Sequence, residues 1–344
     1  MHDTPAPTSR IVCFGELLMR LSPPGCELPL QSPQFAVHFG GAEANVATSM
    51  AILGHDSAMV STLPDNLLGR ACAGELRRHG VDTRGIRYAE GRMGIYFLAP
   101  GAMHRAPEVL YDRADSSFAR SPANAYDWPR LLARAQWLHL SGINLALCEA
   151  TAQAATAAVR AARALGVAIS FDCNYRSKLW GGRAAQAPAC LRQIAAEADL
   201  IFGNDRDIAL ILEMDFPQED SAERFRAAAA AAFAAWPRLR RMAATERRHR
   251  NVDDQDILGF VATRDRMSSS ATHSLTNIVD RIGGGDAFAA GLLHGLFRNM
   301  SDDDALDFAM AAACLKHSVP GDVNVLREAD MLSFLAQDGF EVKR

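Results

Sequence analysis

The stretch Asp280-Arg281-Ile282-Gly283-Gly284-Gly285-Asp286 runs directly into the apolar segment Ala287–Arg298. Three glycines ahead of a helix leave peptide N–H groups uncovered by side chains. Together with the helix N-terminus, those amides make an anion site. Asp286 falls in the first helical turn. A carboxylate there can take a proton from an attacking hydroxyl while the amides hold phosphoryl charge. Phosphoryl transfer needs that combination: alignment and electrostatics, with little covalent work. Taken alone, the run also reads as a flexible turn with Asp286 as a plain helix cap.

Other residues suit a polyhydroxylated, anionic substrate. Gly40-Gly41 ahead of a helix brings bare backbone near a polyol, with Asn45 one turn in. Tyr96 lies on the strand-like run Gly94–Ala99, and Tyr111 and Arg113 point to one face of another extended segment. A tyrosine beside an arginine fits hydroxyls and a carboxylate; it also fits a solvent-exposed cation stacked on a ring. Asp172-Cys173-Asn174-Tyr175-Arg176 follows a buried strand, the end at which α/β proteins bind ligands. Arg176 offers a planar fork for carboxylate or phosphate, and Asn174 can bond a nucleotide phosphate. Against this stands a loop arginine paired with Asp172. Asp322, after Gly321, reads equally as a hydroxyl ligand or a turn residue.

These groups need a frame, and 344 residues at 49% hydrophobic and 22% charged are globular in composition. Short apolar runs alternate with helical stretches: Ile11–Phe14, Ala58–Ser61, Trp137–Leu140, Val167–Asp172 and Leu200–Phe202 as strands, Ala44–Leu53, Leu68–His79 and Ala150–Leu165 as helices, each stopped by a glycine. This rhythm predicts an α/β fold with a doubly wound, mostly parallel sheet covered on both faces. Two inserts break it, 20–39 and 86–113, and read as a small antiparallel β lid over the mouth of the sheet. Arg226–Trp236 reads as a plain surface helix and Arg247–Asp256 as a charged loop.

A net charge of −4 gives no general attraction to nucleic acid or anionic lipid. Only Lys178, Lys316 and Lys343 are lysines, and none stands in a P-loop or protein-kinase motif. Seven scattered cysteines without a C-x-x-C pair argue against a disulfide framework or a zinc site. The polar stretch Met1–Arg10 resembles no secretory signal, and no apolar run reaches membrane-spanning length. A cytoplasmic protein with buried free thiols is expected.

Asp280–Gly291, D-R-I-G-G-G-D-A-F-A-A-G, resembles the second signature of the PfkB-type, or ribokinase-like, carbohydrate kinases, and Gly40–Ala47, G-G-A-E-A-N-V-A, resembles the first. The likeness runs from Ile11 to about Gln337. It implies a ribokinase-like core with a β lid over the whole chain, 1–344. Asp286 would be the catalytic base, and Gly283, Gly284 and Gly285 the hole for the transferring phosphoryl group. Gly284 stands where alanine is usual; glycine keeps the amide, so little loss is expected.

Asp172–Trp180, the tyrosine–arginine pair and Lys316-His317-Ser318-Val319-Pro320-Gly321-Asp322 narrow the likeness to the branch acting on 2-keto-3-deoxygluconate with ATP and Mg2+. On that likeness Gly40, Gly41, Asn45, Tyr96, Tyr111, Arg113, Arg176 and Asp322 contact the substrate. Asn174, Asn204, Thr245 and Arg247 contact ATP, and Asp207 reaches the metal through water. Asp207 replaces the family's glutamate, and Ala243–His249 replaces its glycine-rich nucleotide loop. The expected function is phosphorylation of the sugar acid's 6-hydroxyl. Fructokinase or a related sugar kinase is the alternative, and a catalytically silent sugar-acid-binding module a third. Open lid edges suggest a homodimer.

Overall fold

Runs of branched and aromatic residues form the strands because both faces of a parallel sheet are buried under helices. The computed structural model describes residues 10–336. The residues before Arg10, read above as lacking a secretory signal, and Gln337 onward, where the likeness ends, lie outside the described residues.

In chain order the strands are β1 (Arg10–Phe14), β2 (Leu18–Ser22), β3 (Ala36–Gly40), β4 (Asp56–Pro64), β5 (Asp82–Ala89), β6 (Gly94–Ala99) and β7 (Glu108–Asp112). There follow β8 (Trp137–Ser141), β9 (Ala168–Asp172), β10 (Leu200–Phe202), β11 (Arg241–His249), β12 (Gln255–Ala262), β13 (Met267–Ser269) and β14 (His273–Leu275). The main sheet has ten strands in the order β13-β12-β11-β10-β9-β8-β1-β4-β5, with β14 on β12. From β5 to β11 all neighbours are parallel; β12 to β14 add antiparallel pairs. Alternation along β1 feeds two cores: Val12 and Phe14 join one cluster, Ile11 and Cys13 the other.

The order runs one way from β1 to β4 and β5 and the other way to β8 through β11, so the switch point lies at β1. Clefts form at such points, outside the carboxyl ends of the strands. Over that end stands a second sheet, in the order β3-β2-β6-β7.

Three expectations are corrected. The second sheet is mixed: β2 pairs β3 antiparallel but β6 parallel. Of the insert 86–113, Ile86–Ala89 belong to β5 and pair with β4 in the main sheet. The first insert's sheet begins at Leu18, and Pro23–Phe35 contribute no strand.

The charged loop at Arg247–Asp256 is instead the outer half of the β11–β12 hairpin, with Arg248 opposite Asp256 and Glu246 opposite Leu258. The apolar strand β12 carries its polar neighbour into the sheet. The alanine-rich run lies in the helix Ser221–Ala235, which is no plain surface helix. It buries Phe225, Ala228, Ala229, Ala232 and Phe233 at helical spacing.

Candidate active site

Two helix N-termini meet at the mouth of the sheet. One helix, Ala42–Ile52, starts after Gly41, at φ +139°; a Cβ there would lie 2.2 Å from the Glu16 carbonyl oxygen. The other, Gly284–Phe297, starts after Gly283, at φ +82°, where a Cβ would lie 1.8 Å from the Asp322 carbonyl oxygen. No other residue fits either turn. Asp280 shapes the approach: its Oδ1 accepts from the Ile282 amide at 3.0 Å and its Oδ2 from the Gly321 amide at 2.9 Å.

The Asp286 carboxylate accepts a hydrogen bond from Asn45 Nδ2 at 2.6 Å, across 241 positions of sequence. Burial raises its pKa to about 7; the Asn45 bond opposes the rise and the nearby Glu43 adds to it. Asn45 Oδ1 is buried without a partner among the described residues. Both residues open on a cleft of about 960 Å³ together with Gly41, Gly283, Gly284 and Gly285.

On the side of the second sheet, Tyr96, Tyr111, Arg113 and Asp322 also line the cleft. The Tyr96 hydroxyl donates to Asp322, whose other carboxylate oxygen stands 3.1 Å from Arg20. Arg20 also meets Asp280 at 2.5 Å, fastening β2 to the loop ahead of the glycines.

Two expected substrate residues are placed differently from the reading above. Gly40 lines a smaller neighbouring pocket, not the main cleft. A Cβ there would fall 2.4 Å from Asp322 Oδ2, so its bareness admits that carboxylate. Arg113 lines the cleft, but its guanidinium is paired with the buried Glu16 at 2.7 Å and lies over the Tyr111 ring, 5.7 Å from its centroid. Its charge is therefore already matched. Glu16 escaped sequence reasoning although it follows a buried strand by two residues.

Across the cleft, Asn174 takes φ +38° and its amide donates to Asp172 Oδ1 at 3.1 Å. Asn204 and Asp207 form a reciprocal capping box on the helix Asp205–Leu212. Asn204 Oδ1 accepts from the Asp207 amide at 3.1 Å, and Asp207 Oδ2 from the Asn204 amide at 2.9 Å. The shortened acidic residue thus closes the cap unaided. Thr245 and Arg247 project from β11 into the same cleft.

Charge in the cleft is divided. Asp172 is raised to about 8 by burial and then by repulsion from Asp286, and Asp207 is raised by burial. Facing these acids are Arg176, Arg206, Arg247 and Arg281. Among the described residues none of the four has a carboxylate oxygen within 4.0 Å, so the Arg176–Asp172 pair, the alternative to a ligand role for Arg176, is not formed. Arg247 Nη2 reaches within 3.9 Å of where a Gly285 Cβ would be. Arg281 donates to His249 Nδ1 at 3.1 Å and to the Asn251 carbonyl at 3.0 Å, tying the hairpin tip to the glycine run. Sequence reasoning missed Arg206 and Arg281, although Arg206 adjoins Asp207 and Arg281 stands inside the glycine signature.

No group of three His, Cys, Asp or Glu among the described residues could hold a metal ion. Acids with raised pKa beside unpaired guanidiniums instead suit a polyphosphate that brings its own cation, since magnesium takes few protein ligands and keeps its waters.

The chain is 32% identical over 330 residues to a 2-dehydro-3-deoxygalactonokinase of Haloferax volcanii, spanning 93% of this chain and 94% of the relative. It is 29% identical to a probable chloroplastic fructokinase of Arabidopsis thaliana, over 92% of this chain and 79% of that one. The crystal structure of 2-dehydro-3-deoxygluconokinase from Thermotoga maritima superposes with a TM-score of 0.91 at 34% identity, covering 95% of this chain and 99% of that chain. Residues 8–235 and 268–329 match the pfkB family of carbohydrate kinases, and the unmatched stretch between holds the β11–β12 hairpin. With both glycine signatures at one cleft and a match over most of its length, the chain belongs to the pfkB carbohydrate kinase family.

Proposed function

We propose that the protein transfers the γ-phosphoryl group of ATP to the 6-hydroxyl of 2-keto-3-deoxygluconate or its galactonate epimer. One observation carries the reading. Asp286, with a pKa near 7, stands beside uncovered glycine amides in a cleft holding four guanidiniums without carboxylate partners among the described residues.

Asn45 holds Asp286 and leaves its own Oδ1 for a sugar hydroxyl. The substrate O–H gives its proton to the Asp286 carboxylate as its oxygen bonds to the γ-phosphorus. The bond from that phosphorus to the bridging oxygen breaks, and ADP leaves. The amides of Gly283, Gly284 and Gly285 hold the phosphoryl oxygens, and Arg247, with Thr245, Asn174 and Asn204, meets the nucleotide phosphates. Asp207 and Asp172 are the residues that would face a magnesium hydration shell; the ion, when bound, offsets phosphate charge. Tyr96, Tyr111 and Gly41 frame the sugar, and the second sheet acts as the lid that limits water.

Arg176 is the group for the sugar's carboxylate. The Glu16–Arg113 pair specifically favours a second reading, a neutral-sugar kinase, because it removes one of two expected carboxylate readers. Coupled ADP release over keto-deoxy acids, fructose, ribose and adenosine separates them. The acid should be preferred, and Arg176→Ala should raise its KM roughly 10–100-fold while sparing a neutral sugar. Equal losses on both classes, or turnover of fructose alone, defeats the sugar-acid reading.

The lid also supports a homodimer. Leu21 lies opposite Val37 and Phe97, and Phe97 opposite Leu110, so one apolar stripe crosses all four strands. Val37 and Leu110 are 52% and 62% exposed. A cytoplasmic setting accords with free thiols at Cys13, Cys72, Cys173 and Cys314, all buried.

A further inference from the structure

Lys316 is one of three lysines in a chain that otherwise uses arginine. It ends the helix Asp302–Lys316 and is wholly buried. Its Nζ donates to the Val319 carbonyl at 3.1 Å, and among the described residues no carboxylate oxygen lies within 4.0 Å. Burying an ammonium without a paired carboxylate is costly, and a methionine would fill the space without that cost.

The position gives the charge a purpose. A Cβ on Gly283 would lie 3.4 Å from Lys316 Cε, and one on Gly284 would lie 2.7 Å from His317 Cε1. The last residue of this helix and its C-cap therefore stand directly behind the glycine run. A helix C-terminus carries partial negative charge, here aimed at the rear of a site built for anions. His317 does not offset it at neutral pH. Burial pushes its pKa down to about 4, and its Nδ1 meets the Ala313 carbonyl at 2.6 Å. Lys316 is the cation at that end. The charged and titratable groups around it are Arg20 and His38 from the second sheet, Asp280 and Asp286 from the glycine loop and its helix, and Asp322 and His317 from the turn beyond.

We propose that Lys316 is a positioning residue for phosphoryl transfer: its buried ammonium cancels the negative helix end behind Gly283 and Gly284, so that their amides accept the transferring phosphoryl group. This rests on the kinase reading and adds a residue to it. Two variants separate charge from packing. Lys316→Met keeps the volume, and Lys316→Gln keeps a donor for the Val319 carbonyl without the charge. Coupled ADP release is measured across pH on the sugar that the wild type phosphorylates best, with sugar binding by calorimetry.

Both variants should lose at least about 10-fold in kcat while sugar affinity stays within about threefold. Both should also move the limb set by Asp286 to higher pH, because removing a nearby cation disfavours the carboxylate. Lys316→Gln matching the wild type in kcat and pH limb would reduce the lysine to a hydrogen bond and overturn the proposal. So would two variants that fail to fold, since holding the turn would then be its role. A wild type that releases no ADP with any sugar fails the kinase reading itself, and this assignment with it.

Discussion

As the proposed base, Asp286 is held in a conflict between stability and reactivity. Folding raises its pKa from the ordinary carboxyl range to about 7, chiefly by burial. Because the native state then binds the proton more tightly than the unfolded chain, stability falls as pH rises from about 4 to about 7, and the loss is complete above that. The proposed reaction runs the other way, since only the carboxylate accepts a proton. Turnover should therefore rise through neutral pH while the thermal midpoint declines. Asp286→Asn removes both effects and keeps an oxygen for the Asn45 amide. It should cost about 10²–10⁴-fold in kcat. Above pH 7 it should be more stable than the wild type, by an amount on the order of 1–4 kcal/mol that disappears near pH 4. Unfolding midpoints at pH 4 and pH 8 check this. A variant less stable than the wild type at pH 8 would mean that Asp286 is a structural cap after all.

Between elements, the same glycine run shows what sequence conveys and what it hides. Gly284 in place of the usual alanine reads as harmless because the amide survives. In the fold, His317 occupies the room an alanine methyl would need, its Cε1 2.7 Å from that Cβ position. Gly284→Ala should therefore destabilise the protein by about 1–3 kcal/mol and lower kcat. His317→Ser should restore much of both losses in the double variant. A denaturant series on the four proteins of the cycle measures the coupling, and additive effects would show that the two positions are independent.

The strand–helix rhythm and both glycine signatures were legible because they depend on neighbours a few positions apart. Strands β1, β8, β9 and β10 are short, mostly apolar runs, and Asn45 and Asp286 stand in motifs. What was illegible depends on partners far along the chain. Glu16 neutralises Arg113 from 97 positions away, and Asp322 occupies the space above Gly40. The outer half of β11 is a strand only because β12 lies beside it. The capping box at Asn204 and Asp207 is a local pattern three residues apart and so is legible in the sequence, whereas a metal-water role depends on groups elsewhere in the cleft.

At the scale of the whole molecule, the second sheet is fastened on one side and open on the other. Arg20 ties β2 to Asp280 and Asp322, and Tyr96 on β6 donates to Asp322, so these two strands are fastened to the glycine loop and the turn behind it. The opposite face carries the apolar stripe of Val37, Leu21, Phe97 and Leu110 and ends in the edge strands β3 and β7. Exposed edges and apolar faces invite pairing, and a two-fold contact satisfies both at once. If two lids pack together, each sheet gains rigidity where it frames Tyr96 and Tyr111. Leu110→Glu combined with Val37→Glu should then give a monomer by light scattering, with a raised KM for the sugar and an unchanged thermal midpoint of the main sheet. Neither position touches the cleft, so a raised KM in a variant that stays dimeric, or a wild type that is itself monomeric at micromolar concentration, would show that the stripe serves some other purpose.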